Sequence, residues 1–124
     1  MQVSDMKYSI AILLLASITA GCAADKLMNK YEQKLQWVQT ANAQEDAQAA
    51  LDKKDFRLMA MAQRSTVIPG VDVQQSMKYE LRCGVKFMDG VTDVIASDEH
   101  LRLMKLAHSY ALQYNAIIKT RCQP

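Results

Sequence analysis

The chain reads as an α+β fold: an N-terminal helix or helices, a small antiparallel sheet, and a long C-terminal helix tied to the sheet by a disulfide. Three observations predict it. An apolar stripe recurs at three- and four-residue spacing through Leu103, Leu106, Ala107, Tyr110, Ala111, Tyr114, Ile117 and Ile118, the period of one helix face. Apolar and polar residues alternate from Tyr79 to Phe87, the period of a half-buried strand. Cys83 and Cys122 fall in or beside those two segments and can tie one to the other.

From Lys26 to Gln39, Leu27, Met28, Tyr31, Leu35 and Val38 share one helical face, while Glu32, Gln33, Lys34 and Gln36 mark the wet side. Asn42 opens an Ala-rich helical stretch to Lys53, with Ala43, Ala47, Ala50 and Leu51 as a thin apolar stripe. No Pro or Gly separates the two, so one continuous helix is an open alternative. Residues 56–62 are ambiguous. Phe56, Leu58, Ala60 and Ala62 alternate like a strand, although Ala and Met favour helices; the polar Asp52–Asp55 cluster before them tips the reading to strand. Ile68-Pro69-Gly70-Val71 then interrupts that element.

The segment Tyr79–Phe87 is read as the main strand, with Tyr79, Leu81, Cys83, Val85 and Phe87 on its apolar face. Asp89-Gly90 signals a tight turn, and Val91–Ile95 is read as a short returning strand. Ser97 caps the last helix. Asp98 and Glu99 at its start and Lys119 and Arg121 at its end all suit the helix dipole.

The chain has 124 residues, which allows one domain. Its 15 Lys+Arg against 13 Asp+Glu leave a net charge of +2, without the strong basic footprint of a nucleic-acid binder. At the N-terminus, Lys7 precedes the nine apolar or small residues Ile10–Ile18. That run is far short of the roughly 20 residues that cross a bilayer, and it has the make-up of a secretory signal peptide. Met6-Lys7 opens such a signal better than Met1–Asp5 does, so translation is expected to start at Met6.

Ile18-Thr19-Ala20-Gly21-Cys22 resembles the lipobox of bacterial lipoproteins. Thr19 stands where that family usually has Leu. The resemblance covers the signal region alone and matches the folded part to no family. It implies cleavage after Gly21 and acylation of Cys22, dividing the chain into a signal peptide at 1–21 and a single domain at 22–124. Each buried CH₂ contributes about 0.8 kcal/mol, so several chains anchor firmly where one does not. Ala23 replaces the Asp that retains such proteins in the inner membrane, which implies the inner leaflet of the outer membrane and a domain facing the periplasm.

With Cys22 acylated, Cys83 and Cys122 remain, and an even pair in an exported domain reads as a disulfide. Neither has the CxxC or neighbouring His of a metal site, so no metal or other cofactor is expected. Candidate catalytic residues are equally thin. His100 and His108 stand about 12 Å apart along a helix, too far to chelate together, and read as solvated or locally hydrogen-bonded. Asp89 and Asp93 flank a turn, where Asp bonds backbone. Ser97 has no evident His/Asp partnership, and the scattered methionines read as core filling.

Two surfaces stand out. Leu101, His108 and Leu112, with Lys105 beside them, form a second face on the last helix. Trp37, off the first helix's apolar face, is a candidate interface anchor. Arg57 and Arg82, on the outer sheet face beside Tyr79 or Lys86, could accept an acidic group. The expectation is a non-enzymatic envelope lipoprotein, held to the membrane by Cys22, that adapts or assembles another envelope protein without contacting nucleic acid. The alternative is a lipoprotein that binds a small ligand or inhibits an incoming hydrolase, an immunity-type role.

Overall fold

The computed structural model describes residues 29–124. The signal run, the lipobox with Cys22, and Leu27 and Met28 of the first helical stripe lie outside them. The chain runs α1 (Lys30–Leu35), a 3₁₀ turn (Gln36–Gln39), α2 (Ala43–Asp52), β1 (Leu58–Ala62), β2 (Thr66–Val67), α3 (Ser76–Cys83), β3 (Val85–Phe87) and α4 (Asp98–Ile118). This is the α+β class, and of the ambiguous residues 56–62 Leu58–Ala62 form strand β1. No described helix is long and apolar enough to cross a membrane.

The helix α4 is the hub. Leu103, Ala107, Tyr110, Ala111, Tyr114 and Ile118 are buried along it, and α1, the 3₁₀ turn, α2 and β1 all contact it. Of the expected stripe, Leu106 is exposed. The thin stripe of α2 suits close packing: Ala43, Ala47 and Ala50 are buried and bring its backbone near α4. Leu35, Val38, Leu58, Ala60, Met61, Ile68, Met88 and Val91 complete the core.

Capping explains the helix boundaries. Asn42, in extended conformation, accepts from Gln44 N and Glu45 N, so α1 and α2 are separate and the continuous helix is not formed. Ser97 accepts from His100 N and caps α4 as expected. The helix stops at Ile118, and Lys119 follows it as the C-cap. Glu32, placed by its spacing on the wet side of α1, is buried. Its carboxylate accepts from Asn29 N at 3.2 Å to close a capping box, and also accepts from the Ser97 hydroxyl. One carboxylate thus serves the N-termini of two helices.

The sheet is mixed where an antiparallel one was expected. Its order is β2-β1-β3. The β1–β2 pair is antiparallel, with Met61 opposite Val67, and the β1–β3 pair is parallel, with Leu58 opposite Val85 and Ala60 opposite Phe87. The expected strand Tyr79–Phe87 is largely helix: Ser76–Cys83 is α3, and only Val85–Phe87 is strand. Its period-2 pattern is also two i, i+4 rows of one helix. Tyr79 and Cys83 turn toward the core while Met77 and Leu81 face outward. Gly84, at φ +77°, ends the helix with its N–H on Glu80 O. Cys83 therefore ties a helix end, not the sheet's inner face, to Cys122.

Residues 91–95 form no returning strand. Asp93 accepts Arg64 N, the Thr92 hydroxyl donates to Val94 O, and the chain runs directly into the cap of α4. Gly90, at φ +94°, is pressed on α1, where a Cβ would lie 2.9 Å from Leu35 Cγ and 3.0 Å from Tyr31 O.

Candidate functional site

The end of α2 begins the site. The Asp55 N–H reaches Ala50 O and the Lys54 N–H reaches Leu51 O, the paired bonds of a Schellman motif. Its left-handed position, usually glycine, is held by Lys54 at φ +58°. The chain then turns into β1, and Asp55 faces Arg57. The carboxylate accepts from Arg57 Nε at 2.9 Å and Nη2 at 3.1 Å, and from Lys86 Nζ at 3.1 Å. Hydrogen bonds from the Arg57 guanidinium, then from the Lys86 ammonium, hold the Asp55 carboxyl well below the usual carboxylate range despite opposing desolvation. Asp55 in turn raises the Arg57 pKa.

Opposite this turn, the Cys83–Cys122 disulfide joins the end of α3 to the segment after α4, with 6.0 Å between the Cα atoms. Each cysteine is preceded by an arginine, so the bridge brings Arg82 and Arg121 together. These residues line a cleft of about 560 Å³ with Lys54, Asp55, Phe56, Arg57 and Gln123. Arg57 and Arg82 thus share a site, but at helix and turn ends and not on an outer sheet face. Sequence reasoning missed Lys54 and Arg121. The repeated Arg-Cys dipeptide was the available signal for Arg121, once the cysteines were paired.

The other proposed surface divides. Leu101, Lys105, His108 and Leu112 share one flank of α4, with Lys105, His108 and Leu112 exposed and Leu101 half-buried. Leu112 lies beside Gly70, where a Cβ would be 3.5 Å from Leu112 Cδ2. Trp37 is elsewhere, edge-on to Tyr110 with ring centroids 5.0 Å apart. Its neighbour on α4 is therefore Tyr110.

The exposed apolar row that spacing did not reveal belongs to α3 and its approach. Val73, Met77 and Leu81 are 87%, 72% and 82% exposed, and no residue of α3 is buried. The strand reading of residues 79–87 concealed this row, because it placed Leu81 inward.

His100 is fully buried and does not lie at the surface. Its Nδ1 accepts from Ala96 N at 3.1 Å and its Nε2 lies 2.8 Å from Gly90 O. It is locally hydrogen-bonded and clamps the loop before α4. Asp89 accepts Gly90 N and pairs with Lys34, while Asp93 holds Arg64 N, so the two acidic residues serve different backbone and surface contacts. Among the described residues no three His, Cys, Asp or Glu form a metal-binding group. Comparison of the chain with protein-family models, with curated proteins and with solved structures gives no match.

Proposed function

We propose that the protein is a lipid-anchored, non-enzymatic envelope lipoprotein that docks another envelope protein through the outer face of α3. The observation that carries this reading is the row Val73, Met77 and Leu81, three large apolar side chains in water at four-residue spacing. Large apolar side chains left in water at the same end of the fold mark a surface that a partner can cover. Lys78 and Arg82 border the row on one side and Glu80 on the other. The complementary partner is a protein with an apolar groove and an acidic rim facing Lys78.

Attachment supports the same reading. Acylation at Cys22 leaves seven residue steps to Asn29, a reach of at most about 25 Å, so the domain stays at the bilayer surface. Confinement there raises its effective concentration toward other envelope proteins without any new contact. The groups most able to do acid–base or nucleophilic chemistry already have structural work: Ser97 caps α4 and bonds Glu32, His100 clamps a loop, and Asp93 holds a turn. The ligand-binding alternative is favoured at one place, the cationic cleft.

The test is a native mass spectrum of the protein extracted from host membranes in mild detergent, compared with Met77→Asp/Leu81→Asp and with Lys78→Glu. The expected species begins at acylated Cys22, retains the disulfide and carries a second polypeptide. Both variants keep the acyl mass and the fold, and both lose the second chain. Absence of acyl mass overturns the anchor, and a complex that survives both variants overturns the α3 surface.

A further inference from the structure

We infer that the cleft between the α2–β1 turn and the disulfide is a phosphate-binding site, formed by Lys54, Arg57, Arg82 and Arg121. This inference takes up the ligand-binding alternative and gives it a place and a chemistry. It does not depend on the apolar row of α3.

The charge balance is the first reason. Four cationic side chains line the cleft against one carboxylate, Asp55. That carboxylate is already engaged by Arg57 and by Lys86. Lys54, Arg82 and Arg121 form no ion pair among the described residues. The site therefore carries a surplus of positive charge that an anion would neutralise.

The second reason is that the backbone carrying these cations is fixed, and that the Arg57 side chain is oriented as well. Lys54 projects from the left-handed position of the Schellman turn. Arg57 is oriented by two bonds from its guanidinium to Asp55 and a third from its backbone N at 3.2 Å. Its side chain runs past Gly84, where a Cβ would sit 3.3 Å from Arg57 Cγ. Arg82 and Arg121 each precede a bridged cysteine, so the covalent bond between Cys83 and Cys122 holds their backbone at the same cleft. A backbone fixed before binding loses less conformational freedom when the ligand arrives.

The ligand class is set by donor geometry. One guanidinium fork satisfies a carboxylate, whereas a tetrahedral phosphate presents two terminal oxygens and one charge as a diester, or three oxygens and up to two charges as a monoester, to more than one cation. Three cations without an ion-pair partner among the described residues line the same cleft and suit that group. The cleft is of the size that holds a small metabolite or headgroup. The phosphate can come from a free monoester or from a phospholipid headgroup, and these differ in charge and esterification.

The test is calorimetric titration of the acylated, disulfide-bonded protein in detergent and phosphate-free buffer. The probes are inorganic phosphate, glycerol phosphate, glycerophosphoglycerol (a deacylated headgroup) and succinate. Phosphate probes are expected to bind, to weaken as salt rises, and to exceed succinate by tenfold or more. Arg121→Ala and Arg57→Ala are each expected to weaken binding by about tenfold, consistent with loss of a charge-assisted hydrogen bond. Lys78→Glu, which disrupts the proposed docking face, is expected to leave it unchanged. Tighter binding of glycerol phosphate identifies a free monoester as the source, and equal or tighter binding of glycerophosphoglycerol identifies the lipid headgroup. No binding by any phosphate probe, equal binding of succinate, or affinity unchanged in both arginine variants while each melts like the parent protein, overturns the site.

Discussion

Asn115 shows how one buried polar side chain can stand in for a piece of strand. It sits on α4, fully buried, and its amide meets both backbone groups of Met59. Oδ1 accepts from Met59 N at 2.7 Å and Nδ2 donates to Met59 O at 3.0 Å. The second Nδ2 hydrogen serves Pro69 O at 2.8 Å. The two-residue strand β2 pairs with β1 only at Met61 and Ala62, so Asn115 satisfies the part of β1 that β2 does not reach. Replacement leaves three buried backbone groups without partners, each costing about 1–3 kcal/mol. Asn115→Ala is accordingly expected to lose about 3 kcal/mol or more in urea unfolding, and Asn115→Asp to fare no better because it presents acceptors to two carbonyls. A loss below about 1 kcal/mol in the alanine variant would show that water or a shifted strand replaces the amide.

Among the elements, the end of α2 is where the fold accepts strain. A lysine in the left-handed region crowds its Cβ against the backbone, at a cost of about 1–2 kcal/mol relative to glycine. Glycine has more freedom to lose from the unfolded chain, which offsets part of that gain. Lys54→Gly is expected to raise stability by up to about 1 kcal/mol and, by removing one cation from the cleft, to weaken phosphate binding. Thermal unfolding and titration on the same variant check both halves. A variant neither more stable nor weaker in binding would mean that Lys54 contributes nothing to the cleft. Gly90 is the opposite case. That turn also has positive φ, but Leu35, Lys34 and Tyr31 leave no room there for a Cβ.

For the whole molecule, the disulfide both stabilises the fold and builds the candidate site. It closes a loop across a sequence separation of 39 residues, which the chain-entropy account values at about 4 kcal/mol. Small domains have only about 5–15 kcal/mol in total. Reduction is expected to lower the unfolding midpoint strongly and to weaken phosphate binding by up to about tenfold, the loss expected for Arg121→Ala, before the helices melt, because Arg121 is then no longer tied to Arg82. Circular dichroism and calorimetry during a dithiothreitol titration measure both. Binding that persists in the reduced, folded protein would separate the disulfide from the cleft.

Features that depend on local chemistry were legible in the chain before it folded. The α+β class, the capped C-terminal helix with its apolar stripe, the Ala-rich helical stretch from Asn42 and the Cys83–Cys122 pair were readable from spacing and residue type, because those forces act within a few positions or, for the cysteines, leave one partner; that Asn42 caps a separate helix was not. Tertiary structure decided the rest. Five alternating apolar residues fit a strand and two rows of a helix equally well, and the glycine at position 84 marked a helix end only once β3 had paired parallel to β1. Glu32 became buried because the N-terminus of α4 offered it Ser97 across the fold, and His100 because the loop before α4 closes on both nitrogens of its ring. Lys54, Arg57, Arg82 and Arg121 are separated by up to 67 positions in the sequence. They became a cleft because a Schellman turn and a covalent bridge close the molecule at the same end.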